Sequence, residues 1–236
     1  MTTRAAKPQF RKWWPLYVVG AMATGLAATY FLFFTPDSVA ELSLGDSATA
    51  APVDASDLSG TWSPTADSVA GYRVREQLAM LPAPSDAVGR TSAVTGTVQI
   101  EDGGGSITAL SGSLIEVDLT TLQSDESRRN ERIRTSALET NAFPTATFEL
   151  TEDVDVPAAI RDGETVTVDA AGELTLHGVT RTVTIPLQIR LSGNAVEILG
   201  SLDIDMADYD IDVLSFGGFV SVEDSGTMEF VLSLQR

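Results

Sequence analysis

From Gly60 onward the chain alternates apolar and polar residues with a period of two. Val94, Gly96, Val98 and Ile100 share one phase, as do Ile115, Val117 and Leu119, and their neighbours are mainly Thr, Gln, Ser, Glu and Asp. The pattern returns in Val166, Val168, Ala170, Leu174 and Leu176, and again in Val183, Ile185, Leu187, Ile189 and Leu191 across a short turn at His177-Gly178. Val196, Ile198, Leu202 and Ile204 follow, then Met228, Phe230, Leu232 and Leu234. Strands with one apolar and one polar face suit an antiparallel sheet that is wet on one side. About eight of them can bury the apolar face and leave no long edge by closing on themselves. The spacing therefore predicts an all-β, extended antiparallel barrel over residues 60–236, with a sandwich as the alternative.

Two stretches break the alternation. Ser124 to Glu139 has acids at its start and Arg128, Arg129, Arg132 and Arg134 further on, which predicts a short helix or ordered loop near 124–139. Leu78 to Gly89 carries Met80, Leu81, Pro82 and Pro84 and is expected to lie over one barrel mouth.

Ahead of the barrel the pattern is different. Trp13 to Phe34 is a run of 22 residues without a charge. At about 1.5 Å per residue it spans a hydrocarbon core of roughly 30 Å. This predicts a transmembrane helix at 13–34 behind a basic tail at 1–12, with the N-terminus cytoplasmic and the body outside. Ser38-Val39-Ala40 offers a small-residue cleavage site, so secretion after signal cleavage is the alternative. Residues 35–59 are rich in Ala, Ser, Thr and Asp and show no sustained period, which reads as a flexible linker.

Charge sharpens this division. The first 36 residues hold Arg4, Lys7, Arg11 and Lys12 and no acid, whereas the remainder holds all 33 acids against 11 arginines. Such a body repels phosphate backbones, which argues against nucleic acid as a partner. The chain has no cysteine, so disulfides, thiolate catalysis and the usual structural zinc sites are excluded.

The chemical candidates are few. His177 is the only histidine, so neither a multi-histidine metal site nor a second imidazole relay can be assembled, and a turn-stabilising role is expected. No G-x-S-x-G nucleophile elbow is present. Asp203, Asp205, Asp208, Asp210 and Asp212 could offer oxygen ligands to calcium, but Ala207 and Asp208 stand where an EF-hand needs a ligand and then glycine. A change of strand phase through a bulge near Ala207 leaves these aspartates in solvent. No metal, cofactor or catalytic residue is expected. The arginine group could hold an anionic headgroup or pair with local carboxylates, and the aromatic residues Tyr72, Phe143, Phe148 and Phe230 could face a ligand or fill the barrel.

Two segments carry a family resemblance. Arg129 to Leu150, RNERIRTSALETNAFPTATFEL, and Gly172 to Leu187, GELTLHGVTRTVTIPL, together resemble the YceI-like family of lipid-binding β-barrels. Gly60-Thr61-Trp62 looks like that family's opening Gly-x-Trp, and the likeness runs from about Gly60 to Arg236. Departures stand at Asn130, where many members have Asp, and at Leu138-Glu139-Thr140, where Phe-Phe-Asp is common. Met206 and Asp210 stand where Arg and Gly are common. The resemblance implies a lipocalin-like barrel whose interior accommodates a polyisoprenoid chain or an isoprenoid quinone.

On that footing the expected function is a membrane-tethered, extracytoplasmic protein that holds an isoprenoid lipid or quinone-like amphiphile for carriage or sequestration. Pocket candidates are Tyr72, Val74, Val98, Val117, Phe143, Phe148, Val168, Leu174, Leu176, Ile185 and Leu187, with Arg129, Arg132 and Arg134 as headgroup contacts. Expected partners are that amphiphile, the membrane through residues 13–34, and a second copy of the chain or another envelope protein. The alternatives are a non-enzymatic envelope interaction module with a filled barrel and, behind it, a lipid hydrolase.

Overall fold

The period-two segments are strands, and their registers bring one apolar phase onto a common inner wall. The computed structural model describes residues 39–45, 57–78, 84–213 and 220–236. The predicted basic tail and membrane span at 1–34 lie outside them, as do 35–38 and 46–56 of the linker. Among the described residues no helix is long and apolar enough to cross a membrane.

The strands are β1 (Gly60–Pro64), β2 (Val69–Leu78), β3 (Ser85–Thr91), β4 (Val94–Asp102), β5 (Ile107–Ala109), β6 (Leu114–Asp118) and β7 (Gln123–Ser124). After helix α1 (Ser127–Arg132) come β8 (Thr145–Leu150), β9 (Val154–Val156), β10 (Val166–Leu176), β11 (Val179–Ser192), β12 (Ala195–Asp205), β13 (Val220–Val222) and β14 (Ser225–Gln235). Among the described residues all pairings are antiparallel. The ring runs β14-β12-β11-β10-β8-β6-β4, and β1 closes it by pairing with both β4 and β14. An eight-membered barrel results, as the alternation predicts. Beyond β1, β2 takes over the same edge of β14 and carries β3 and β13.

The turns follow local chemistry. His177 and Gly178 both have positive φ, 51° and 75°, as a two-residue turn between tightly paired strands requires, and Leu176 pairs directly with Val179. At the other break, the change of phase after Asp205 is not a bulge. A 3-10 turn, Met206–Tyr209, begins with the Asp205 carboxylate accepting from Ala207 N at 2.9 Å and ends at Asp210 in the left-handed region, φ 53°. Asp210 thus adopts a conformation that favours glycine, the residue common there in the resembling family. All five aspartates of this stretch are exposed. The interruption expected over Leu78 to Gly89 is shorter than predicted, because Ser85 to Gly89 belongs to β3; residues 79–83 lie outside the described ones.

One end of the barrel is filled. Trp62, Ile160, Leu191, Val196 and Leu234 are all nearly inaccessible, with Leu234 at 0% exposure. The 3-10 turn Ala158–Asp162 presses Ile160 into this end. Asp102 fastens its rim, accepting from Leu58 N at 2.9 Å, from Gly104 N at 2.8 Å and from Arg161 Nη2 at 2.5 Å. Hydrogen bonding from Arg161, then from the Leu58 amide, holds this carboxyl well below the usual carboxylate range.

Part of the predicted linker rests on the barrel. Within Val39 to Gly45, the Ala40 carbonyl accepts from Arg90 and the Gly45 carbonyl from Arg190, each at 2.5 Å, and Leu42 and Leu44 are half-buried. Arg90 also pairs with Glu229, and Arg190 with Glu197, so two ion pairs on the outer wall seat this segment.

Candidate ligand cavity

Toward the other end the lumen is hollow. It encloses a cavity of about 510 Å³, within the roughly 300–1,000 Å³ typical of small-molecule sites. Its wall is the inner phase of the strands. Tyr72, Val74, Val98, Val117, Phe148, Leu174, Leu176, Ile185 and Leu187 all line it. Phe143 and Val168 do not. Phe143 precedes Pro144, ahead of β8, and its ring packs edge-on against His177 at 4.4 Å, beneath the β10–β11 turn. Val168 has the expected phase and packs against the core residues around Val166 and Ala170.

The stretch predicted as helix or ordered loop forms the roof. α1 runs into a π-helical turn, Ile133–Ala137, and Ile133 and Leu138 face the cavity. Asn130 secures the approach by accepting from Ser124 N and Ser124 Oγ, both at 2.8 Å, a task an aspartate could also perform. From the opposite side Met206 and Ile211 complete the roof. These four residues lay outside the predicted pocket because they sit in irregular segments, where strand phase says nothing about facing. Their apolar character amid charge was the available signal.

Charge collects under this roof. Glu76, Glu126, Arg128, Arg129, Arg132 and Asp212 border the cavity. Of the predicted headgroup contacts, Arg129 and Arg132 are placed there. Arg129 already bridges Glu76, at 2.5 Å, and Asp125, so it ties α1 to β2. Arg134 points away from the lumen and pairs with Glu131 one turn earlier. The Tyr72 hydroxyl is buried and has no hydrogen-bond partner among the described residues. Burial pushes its pKa up, offset in part by Arg129, so the group stays a neutral donor and acceptor at the edge of an apolar chamber.

His177 stands outside the cavity and joins the loops around it. Its Nδ1 lies 3.1 Å from the Tyr209 carbonyl and its Nε2 lies 3.3 Å from Glu139 Oε2. One side chain thus links the β10–β11 turn to the segment after α1 and to the Met206–Tyr209 turn. This is the turn-holding part that the sequence suggests for it.

Comparison with known proteins agrees with this architecture. The model of the YceI-like domain matches residues 63–234. A UPF0312 protein of Vibrio parahaemolyticus is 31% identical over 116 residues, 46% of this chain and 58% of that protein. A UPF0312 protein of Vibrio vulnificus is 30% identical over the same length. The chain thus spans less than two thirds of the length of these curated relatives. Among solved structures, a polyisoprenoid binding domain from Saccharophagus degradans, described as implicated in plant cell wall breakdown, is similar in fold. Its TM-score is 0.53 at 20% identity, covering 75% of this chain and 98% of that one. BcnA of Burkholderia cenocepacia is 18% identical with a TM-score of 0.49, covering 69% of this chain and 95% of its own. With well over half of its length matched by the domain model, this chain belongs to the YceI-like family.

Proposed function

We propose that the chain is a membrane-tethered, extracytoplasmic holder of an isoprenoid lipid or quinone-like amphiphile, which it carries or sequesters inside the barrel. The observation that carries this reading is the hollow lumen, walled mainly by apolar strand residues and bordered under the α1 roof by charge and by the Tyr72 hydroxyl, which has no partner among the described residues. A slender apolar chain with a polar head matches that gradient. The polyisoprenoid binding named for the Saccharophagus degradans domain supports the choice of ligand class. Binding rather than hydrolysis fits His177, whose two ring nitrogens both face acceptors that hold loops together.

Tethering rests on the uncharged run at 13–34 and the basic residues before it. Two measurements test the reading. Protease added to spheroplasts should digest the barrel and spare a tag at Met1, and a soluble mature form beginning near Glu41 would contradict the anchor. Solvent extraction of the purified chain should release an isoprenoid, whereas an empty barrel that takes up none on addition would favour the filled-scaffold alternative.

A further inference from the structure

The hollow half of the barrel poses a packing problem, because three aromatic side chains point into it and should fill it. Tyr72, Phe148 and Phe230 all belong to the inner phase and all line the cavity. Each has its ring over a glycine on a neighbouring strand. A Cβ built at Gly200 would overlap Phe230 Cζ and lie 2.9 Å from both Phe230 Cε1 and Leu187 Cδ2. At Gly89 it would overlap Tyr72 Cε1 and lie 2.6 Å from Cζ and 2.7 Å from the hydroxyl. At Gly172 it would fall 2.5 Å from Phe148 Cζ. Gly200 and Phe230 are direct cross-strand partners, as are Gly89 and Tyr72, while Gly172 is diagonal to Phe148 across β8 and β10.

None of the three glycines has a positive φ. Their dihedral angles are open to any residue, so what they supply is space. A ring that occupies the position of the missing Cβ lies against the wall, and the centre of the lumen stays open.

We infer that Gly89, Gly172 and Gly200 set the bore of the cavity, by giving Tyr72, Phe148 and Phe230, in that order, recesses in the wall, and so determine the length and girth of apolar chain that the barrel admits. This rests on the reading that the lumen holds an isoprenoid chain. Alanine at Gly200 evicts the Phe230 ring; the backbone blocks its path outward, so it swings into the lumen. Gly172 is a poorer test site, because an added Cβ there also meets the Glu149 carbonyl at 2.5 Å.

The test uses the full chain in detergent, with farnesol and solanesol as short and long polyprenol probes. Gly200→Ala should weaken solanesol binding by about tenfold or more while farnesol changes by less than about threefold. Gly200→Ala combined with Phe230→Leu should restore solanesol, because the shorter side chain vacates the bore. If Gly200→Ala does not fold, Gly89→Ala with and without Tyr72→Leu makes the same comparison. Unchanged solanesol affinity in the glycine variants, or a loss that removing the ring does not repair, overturns the inference. If the parent chain takes up neither polyprenol, the isoprenoid reading fails by itself. The bore is then measured with the neutral dye N-phenyl-1-naphthylamine. Emission that falls in Gly200→Ala and returns in the double variant supports the recess, and emission indifferent to both overturns it.

Discussion

The two ends of this barrel are built from the same alternating strands and do opposite things with them. At the end closed by β1 and the Ala158–Asp162 turn, inward positions are bulky and nearly inaccessible, as at Trp62, Ile160, Leu191 and Leu234. Under α1, Ile204, Met206 and Met228 remain half-buried around open space, and Gly89, Gly172 and Gly200 occupy inward positions. Polar anchoring differs as well. Asp102 gathers Arg161 and two backbone amides at the filled end, whereas the roof relies on Arg129 reaching down to Glu76 and on His177 joining two loops. Bulky inward packing is thus concentrated at one end and open volume at the other.

The sharpest way to break this contrast is truncation at matched positions. Trp62→Ala should cost about 3–5 kcal/mol in denaturant unfolding, since it empties a packed site, and it also strands the Leu58 carbonyl that accepts from the indole N–H at 2.9 Å. Phe148→Ala borders a void that already exists and should cost no more than about 2 kcal/mol. Equal costs would show that the hollow end is packed in solution.

Acid titration tests the filled end alone. The Asp102 carboxyl is held below its unfolded value near 3.9, so protons bind the unfolded chain more readily. Its contribution is complete above about pH 4 and is lost as pH falls toward the lowered folded value. Thermal melts of Asp102→Asn should therefore show a flatter acid limb than the parent, together with lower stability at neutral pH. A parallel pair of curves would remove Asp102 from the account.

At the roof, Glu76→Gln should cost only about 1 kcal/mol, because Arg129 keeps Asp125 as a partner, but it should speed release of a bound lipid by loosening α1. The smallest effect is expected at His177. His177→Asn keeps a residue that tolerates the left-handed turn and loses the link to Glu139, so stability should fall by roughly 1 kcal/mol or less with lipid uptake retained. Loss of uptake without loss of fold would give the imidazole a part in binding.

The barrel was readable in the sequence because strand phase depends on single residues and their neighbours. Val166 to Leu176 and Val183 to Leu191 show this, with the His177-Gly178 turn between them. The Ser85 to Gly89 strand was obscured because Gly89 interrupts its apolar phase and two prolines precede it. The phase change after Asp205 was visible, but its cause, a 3-10 turn, depends on the Asp205 side chain capping Ala207. The cavity was the hardest feature to see. An inward glycine such as Gly200 looks like a gap in a pattern until the register sets Phe230 opposite it. Likewise Phe143 reads as an inward aromatic and instead packs against His177 outside the lumen.

The central claim is that the hollow end holds one slender apolar ligand. Native mass spectrometry of the full chain, released from detergent with and without added solanesol, addresses it most directly. The account predicts a single adduct per barrel that saturates at one equivalent and diminishes in Gly200→Ala. A parent chain that shows no adduct from its native membrane and none after addition would contradict it.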